Sequence, residues 1–171
     1  MSQFCTVKGN LQVEIRPIHP EDEERMIMFH QGLSERSVYM RYFESLSLAA
    51  RTKHHRLARV CLADPQSETV LIALCVDPKT ASQRIVAVGR LSRFADPSNA
   101  ELALLVLDEF QGRGVGTELL RHLILAARNQ KIRCIYAEML RDNIAIQRLL
   151  RKLGFHLRLV DPRSVRGMLT I

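Results

Sequence analysis

Gln111-Gly112-Arg113-Gly114-Val115-Gly116 stands between two stretches of different periodicity, and its reading decides the fold. Upstream, Leu102-Ala103-Leu104-Leu105-Val106-Leu107 is a continuous apolar run closed by Asp108-Glu109, the pattern of a buried strand. Downstream, Val115, Leu119, Leu120, Leu123, Ile124 and Ala127 recur every three to four residues, as on a helix with one packed face. Strand, glycine turn and helix follow in that order. Glycines let the main chain take positive φ and approach a ligand, while the unpaired N–H groups and dipole of a helix start attract phosphate. The turn therefore reads as an anion-binding element with room for a pyrophosphate.

It is neither of the commonest phosphate loops. It lacks the Lys-Ser/Thr ending that reaches terminal phosphates and magnesium, which argues against nucleotide hydrolysis, and it is shorter than the dinucleotide fingerprint and begins with Gln. A second element lies at 143–155. Asn143 precedes a run with apolar residues at 146, 149, 150 and 153, and Gly154 is placed to end that helix in a left-handed conformation. Together the Gln-Gly-x-Gly-x-Gly turn, the strand before it and the Asn-started helix closing on Leu153-Gly154-Phe155 resemble the GCN5-related N-acetyltransferase (GNAT) superfamily over roughly residues 12–160. That resemblance implies acetyl-coenzyme A as co-substrate.

The rest of the chain agrees with such a domain. Its 171 residues at 47% hydrophobic composition are the size of one domain with a real core, read as a single unit over 1–171. No apolar run nears the roughly 18 residues of a membrane span, and residues 1–8 carry no apolar signal core, so the expected location is the cytoplasm with no membrane partner. Cys5, Cys61, Cys75 and Cys134 show neither a C-x-x-C pair nor a partnered His spacing, so neither zinc nor a disulfide framework is expected, and no metal is called for. The net charge of +7 favours acidic partners. With 5% aromatics, no tryptophan and no interleaved aromatic-basic stripe, nucleic acid is not the indicated one. Between 141 and 166, Arg141, Arg148, Arg151, Lys152, Arg158, Arg163 and Arg166 form either a solvated face or a rim for the 3′-phosphate of coenzyme A.

Along the chain, residues 14–18 alternate and are broken by Pro17, as in a first strand at a sheet edge. A helix follows, with Pro20 and the acidic run 21–24 at its start and Gly32 as its stop. The acids there read as helix punctuation. Ser34 caps a second short helix carrying Val38, Tyr39 and Tyr42, and a polar, basic segment to Arg59 is where an acceptor could lie. Runs 70–76 and 85–94, joined by the turn-rich link 77–83, make an antiparallel pair continued by 101–107, and 132–140 and 155–160 flank the Asn143 helix. The expected fold is α/β in the α+β sense: a GNAT-like, central, mostly antiparallel mixed sheet with one parallel crossover and helices on both faces.

Acetyl transfer to an amine asks for a base, because a lysine amine near pKa 10.4 is almost wholly protonated at neutral pH. Glu101 opens the strand running into the glycine turn and is out of character with its apolar neighbours, so it is the candidate base. The alternative is a strand-end carboxylate in water or paired with Arg90 or Arg93; partial burial would favour the catalytic role. From the resemblance, main-chain groups of Leu104, Leu105 and Val106 meet the pantetheine arm and the oxyanion, Gln111, Gly112, Arg113, Gly114, Val115, Gly116 and Thr117 hold the pyrophosphate, and Asn143 both caps its helix and touches the cofactor. One departure stands out: many family members carry a tyrosine general acid where this chain has Leu150. Tyr136 and Cys134 read as core or sheet residues, leaving the acid unassigned. Residues 16–22 and 33–43 further resemble the acetyltransferase domain of bacterial protein-lysine acetyltransferases. The implied reaction is direct attack by a primary amine, a protein lysine first, within a ternary complex. A small-molecule amine acceptor or a non-catalytic acetyl-CoA sensor are the other readings.

Overall fold

The computed structural model describes residues 2–76 and 81–171. Residues 77–80, most of the link read as a turn, lie outside the described residues. In chain order the elements are β1 (Gln3–Val7), β2 (Leu11–Pro17), a 3-10 turn (Pro20–Asp22), α1 (Glu23–Gln31), α2 (Glu35–Tyr42), α3 (Leu48–Arg51) and α4 (His54–Cys61). Then come β3 (Glu68–Val76), β4 (Gln83–Arg93), β5 (Asn99–Val106), a second 3-10 turn (Asp108–Phe110), α5 (Val115–Asn129), β6 (Cys134–Leu140), α6 (Ile144–Lys152), β7 (His156–Leu159) and β8 (Ser164–Thr170).

The described strands form one sheet in the order β1-β2-β3-β4-β5-β6-β8-β7, antiparallel throughout except for the parallel pair β5–β6. That pair is parallel because α5 carries the chain back across the sheet. The strand expected at an edge, β2, is instead second: β1 pairs with it from Gln3↔Ile15 to Val7↔Leu11 and takes the edge. At the other end, β8 pairs with β6 along its whole length and pushes β7 outward.

Side-chain alternation assigns the layers. Gly89 faces α5 so closely that a Cβ there would lie 2.5 Å from Leu123 Cδ1. Its neighbours Val88 and Arg90 point the other way, toward Met26 and Phe29 of α1 and Leu57 and Val60 of α4 around a shared cavity. Leu119, Leu120, Leu123 and Ala127 of α5 are fully buried, as the sequence period requires. Ser34 caps α2 by accepting from the Ser37 N–H at 3.2 Å. Asn143 caps α6 through Ile146 N–H, and Gly154 follows that helix at φ +90°.

Two buried polar groups contribute to the acid stability. Asp22 is fully buried and accepts from both Arg16 terminal nitrogens (2.7 and 2.8 Å), the His19 amide (2.9 Å) and Arg25 (2.9 Å). Burial alone would push its carboxyl up; the bonds from Arg16, His19 and Arg25 outweigh that and hold it down at about 2. His30 is 4% exposed, and burial, then the charges of Arg51 and Arg56, press its pKa down to about 4. Both folded values lie below the unfolded ones, so each contribution is present above the unfolded pKa and lost as pH falls through the folded one. Urea unfolding should therefore show stability falling between about pH 6.5 and 4 through His30, and again toward pH 2 through Asp22, each on the order of 2 kcal/mol. A His30→Gln variant should flatten the first loss; an unchanged slope would contradict the assignment.

Candidate functional site

The two parallel strands part company early. β5 and β6 pair only at Asn99↔Cys134, Ala100↔Ile135 and Glu101↔Tyr136, while β4 stays paired to β5 up to Val106. From Leu102 onward the β6-facing edge of β5 is therefore open. The opening begins two residues before Leu104, where it was expected. Over the five residue steps from Glu101 to Val106 the strand runs about 17 Å at strand rise, and its open edge leads into the glycine turn.

A groove of about 840 Å³ follows this edge. Of the residues expected at the site, Glu101, Leu104, Leu105, Val106, Gln111, Gly112, Gly114, Gly116, Thr117 and Asn143 line it. Two do not. The Val115 side chain is fully buried, and the Arg113 guanidinium lies over the Phe110 ring at 5.4 Å, so both bring only main chain to the turn. Leu150, at the position where a tyrosine is common, also lines the groove and is fully buried. Tyr136 instead packs its ring 6.0 Å from Phe94.

The turn has the geometry an anion needs. Gly112 and Gly114 sit at φ +72° and +94°, where other L-residues are strained, and a Cβ at Gly112 would meet nothing within 4 Å. Beyond Gly114, the N–H groups of Val115, Gly116 and Thr117 form the first turn of α5 and have no helical carbonyl to donate to. The β1–β2 hairpin braces the turn from outside: Lys8 N–H donates to the Arg113 carbonyl at 3.0 Å, and the Lys8 side chain borders the groove. Of the seven basic residues between 141 and 166, Lys152 borders it among the described residues; Arg166 is instead paired with Glu138 across the β6–β8 ladder. Lys8 and Arg36 are groove cations that the sequence reading missed.

Asp108 joins the turn to the start of α2. Its carboxylate accepts from Ser34 N–H (3.0 Å), Ser34 Oγ (2.7 Å) and Ser37 Oγ (2.8 Å). Gln111 Nε2 donates to Ser37 Oγ at 3.2 Å and to the Val106 carbonyl at 3.1 Å, so its side chain ties α2, the end of β5 and the turn together. Burial works to raise the Asp108 pKa, but the bonds from Ser34 and Ser37 prevail and hold it below the usual carboxylate range. Asp108→Ala should lower stability by about 0.5–1 kcal/mol, the lower part of the hydrogen-bond range because the site is exposed. It should also weaken acetyl-CoA binding by loosening Gln111, and unchanged affinity in calorimetry would refute that coupling.

Glu101 is exposed in the groove, so the partial burial that would favour the catalytic role is not found. Neither Arg90 nor Arg93 pairs with it: Arg90 is bound to Glu68, and Arg93 to the Gln130 carbonyl and side chain. By alternation Glu101 shares a face of β5 with Ala103 and Leu105, whereas Leu104 and Val106 face Gly116 of α5. Arg41 of α2, also in the groove, is within electrostatic reach of Glu101.

None of the four cysteines lines the groove among the described residues. Burial, then Asp22 and Glu23, pushes the Cys61 thiol up to about 11, and burial with Glu118 raises that of Cys5, so neither is a ready thiolate. Among the described residues no group of three or more His, Cys, Asp or Glu side chains could hold a metal ion, and no helix is long and apolar enough to cross a membrane.

Comparison with known proteins agrees with this geometry. The family described as "Acetyltransferase (GNAT) domain" matches residues 12–156. A Pseudomonas aeruginosa protein named Acetyltransferase PA5475 is 29% identical over 163 residues, covering 90% of this chain and 85% of that one. The crystal structure of the GNAT domain of S. lividans PAT superposes with a TM-score of 0.88 at 27% identity, covering 99% and 97% of the two chains. The PaiA N-acetyltransferase from Thermoplasma acidophilum, solved in complex with coenzyme A, shares the fold with a TM-score of 0.72 at 18% identity over 93% of this chain and 99% of that one.

Proposed function

Because the chain belongs to the acetyltransferase (GNAT) family, we propose that it moves the acetyl group of acetyl-CoA to a primary amine, a protein lysine first, by direct attack in a ternary complex, residues 1–171 acting as one unit. The observation that carries this reading is the parting of β5 from β6 after Glu101, which leaves strand-edge main chain free beside an open anion-binding turn. An extended pantetheine arm suits that free edge as a replacement strand, and the pyrophosphate suits the N–H groups at Gly112 to Thr117. A main-chain N–H of the open edge, held in place before reaction, is the kind of donor that stabilises an oxyanion.

Glu101 is the base in this scheme. It stands where the slot begins, exposed enough to accept a proton directly or through water. The absence of a groove cysteine among the described residues supports direct attack over a cysteine-bound acyl intermediate. Leu150 supplies no proton, so the departing thiolate takes one from solvent or from the amine being acylated; as a good leaving group it needs little help. The lysine preference draws support from the segment 33–43 that resembles protein-lysine acetyltransferases, of which Arg36, Ser37, Met40, Arg41, Tyr42 and Phe43 line the groove.

The test offers the purified protein and acetyl-CoA either a bacterial protein extract or a panel of polyamines, aminoglycosides and amino acids, and locates the acetyl group by mass spectrometry. Acetyl-lysine in proteins is the expected result. Acetylation of small amines alone would move the acceptor to that class.

A further inference from the structure

A second cavity of about 550 Å³ lies between the sheet, at Ala103 and Leu105 of β5, and helices α1, α2 and α4. It touches the first groove at Arg41, Tyr42, Ala103 and Leu105. Its charge is one-sided: Arg41, Lys53, Arg56, Arg59 and Arg90 line it together with two histidines, and no Asp or Glu does so among the described residues. Arg90 has Glu68. Arg41 and Arg56 have no carboxylate bonded to them among the described residues; both guanidiniums sit 5.1 Å from the Tyr42 ring centre, within cation–π distance.

Two half-buried guanidiniums near each other, with Glu101 within electrostatic reach of Arg41 but no carboxylate bonded to either among the described residues, are an arrangement that a further anion would stabilise. We propose that this cavity binds a carboxylate carried by the acceptor, so that the enzyme prefers lysines with acidic side chains close by. This rests on the acetyltransferase reading above. The amine would lie at Glu101 and the carboxylate beyond it, at Arg41 and Arg56, because the two spaces meet there. Guanidinium forks match carboxylates with paired, charge-assisted hydrogen bonds. The remaining charges speak for the same occupant: burial, and then the like charges of Arg90 and Arg56, lower the Arg41 pKa despite Tyr42 and Glu101, and the low pKa of His30 leaves that cavity-lining side chain neutral at pH 7. A ligand anion would relieve the repulsion among the arginines.

Two end-blocked peptides decide the point, each with one lysine flanked on both sides by two residues, glutamates in one and glutamines in the other. Binding is measured by calorimetry and turnover by thiol release, with wild type, Arg56→Gln, Arg56→Lys and, as a control for the protein's overall positive charge, Arg128→Gln on the exposed surface of α5. The glutamate peptide should bind about tenfold tighter, as one charge-assisted bond network supplies. Arg56→Gln should erase that preference, Arg56→Lys keep part of it, and Arg128→Gln leave it intact. Equal binding of the two peptides, or a preference lost equally in Arg56→Gln and Arg128→Gln, would overturn the proposal. Because binding is read apart from turnover, a glutamate preference without thiol release would uphold the cavity's role and count against the catalytic reading instead.

Discussion

Replacing Glu101 with Gln should lower turnover about 10²–10⁴-fold, the span that a positioned general base contributes, while acetyl-CoA binds nearly as before. The substitution keeps the shape of the side chain and its place at Glu101↔Tyr136, the last pair before the strands separate. It removes the negative charge and with it the capacity to accept a proton. The turn that would hold the pyrophosphate begins ten residues further along the chain at Gln111, so the cofactor's main contacts are untouched. A loss confined to kcat and kcat/KM is the mark of an interaction made in the transition state. Turnover like the wild type across the pH range would remove Glu101 from the mechanism and leave the proton to water.

The second large effect belongs to Gly116. A Cβ there would stand 3.3 Å from Val106 Cγ2, 3.4 Å from Leu104 Cδ2 and 3.5 Å from Leu149 Cδ2, so this glycine lets the first turn of α5 rest against both β5 and α6. A larger residue there would strike the floor of the groove. Gly116→Leu should force α5 away from β5, lowering stability by about 1–3 kcal/mol through overpacking. It should also weaken acetyl-CoA binding by roughly a hundredfold, equivalent to about 2.8 kcal/mol, because the N–H groups of the turn and the open edge of β5 no longer face the same space. Thermal unfolding and calorimetry read the two effects separately. Full affinity in a folded Gly116→Leu protein would show that the turn does not hold the cofactor.

The half of the chain from β3 to α6 was legible in the sequence because its elements are buried on at least one face. The run 102–107 and the repeat from Val115 to Ala127 are long enough for periodicity to speak, and Asn143, Gly112 and Gly114 carry their own conformational signals. Strands β1 and β8 were not read. β1 is mostly exposed, with little apolar alternation, although Gly9 and Asn10 at φ +77° and +55° make the tight turn that their residue types favour. β8 hides among arginines, and its register depends on Gly167, where a Cβ would lie 2.9 Å from Leu157 Cδ2 of β7. The site divides the same way. Residues contiguous with the glycine turn were found from their order along the chain. Ser34, Ser37 and Asp108 were not found as one network, because Asp108 meets the serines across 71 and 74 residues, and the arginines of the second cavity come from α2, α4 and β4. Folding alone brings those groups together.

The central claim, that this groove transfers acetyl from acetyl-CoA to an amine, is tested most directly by following free-thiol release from acetyl-CoA with the purified protein, with and without a lysine-bearing acceptor. The account predicts release that requires the acceptor, matches the acetylated amine mole for mole and collapses in Glu101→Gln. Tight acetyl-CoA binding with no thiol release toward any protein or small amine would contradict it and leave a domain that binds the co-substrate without consuming it.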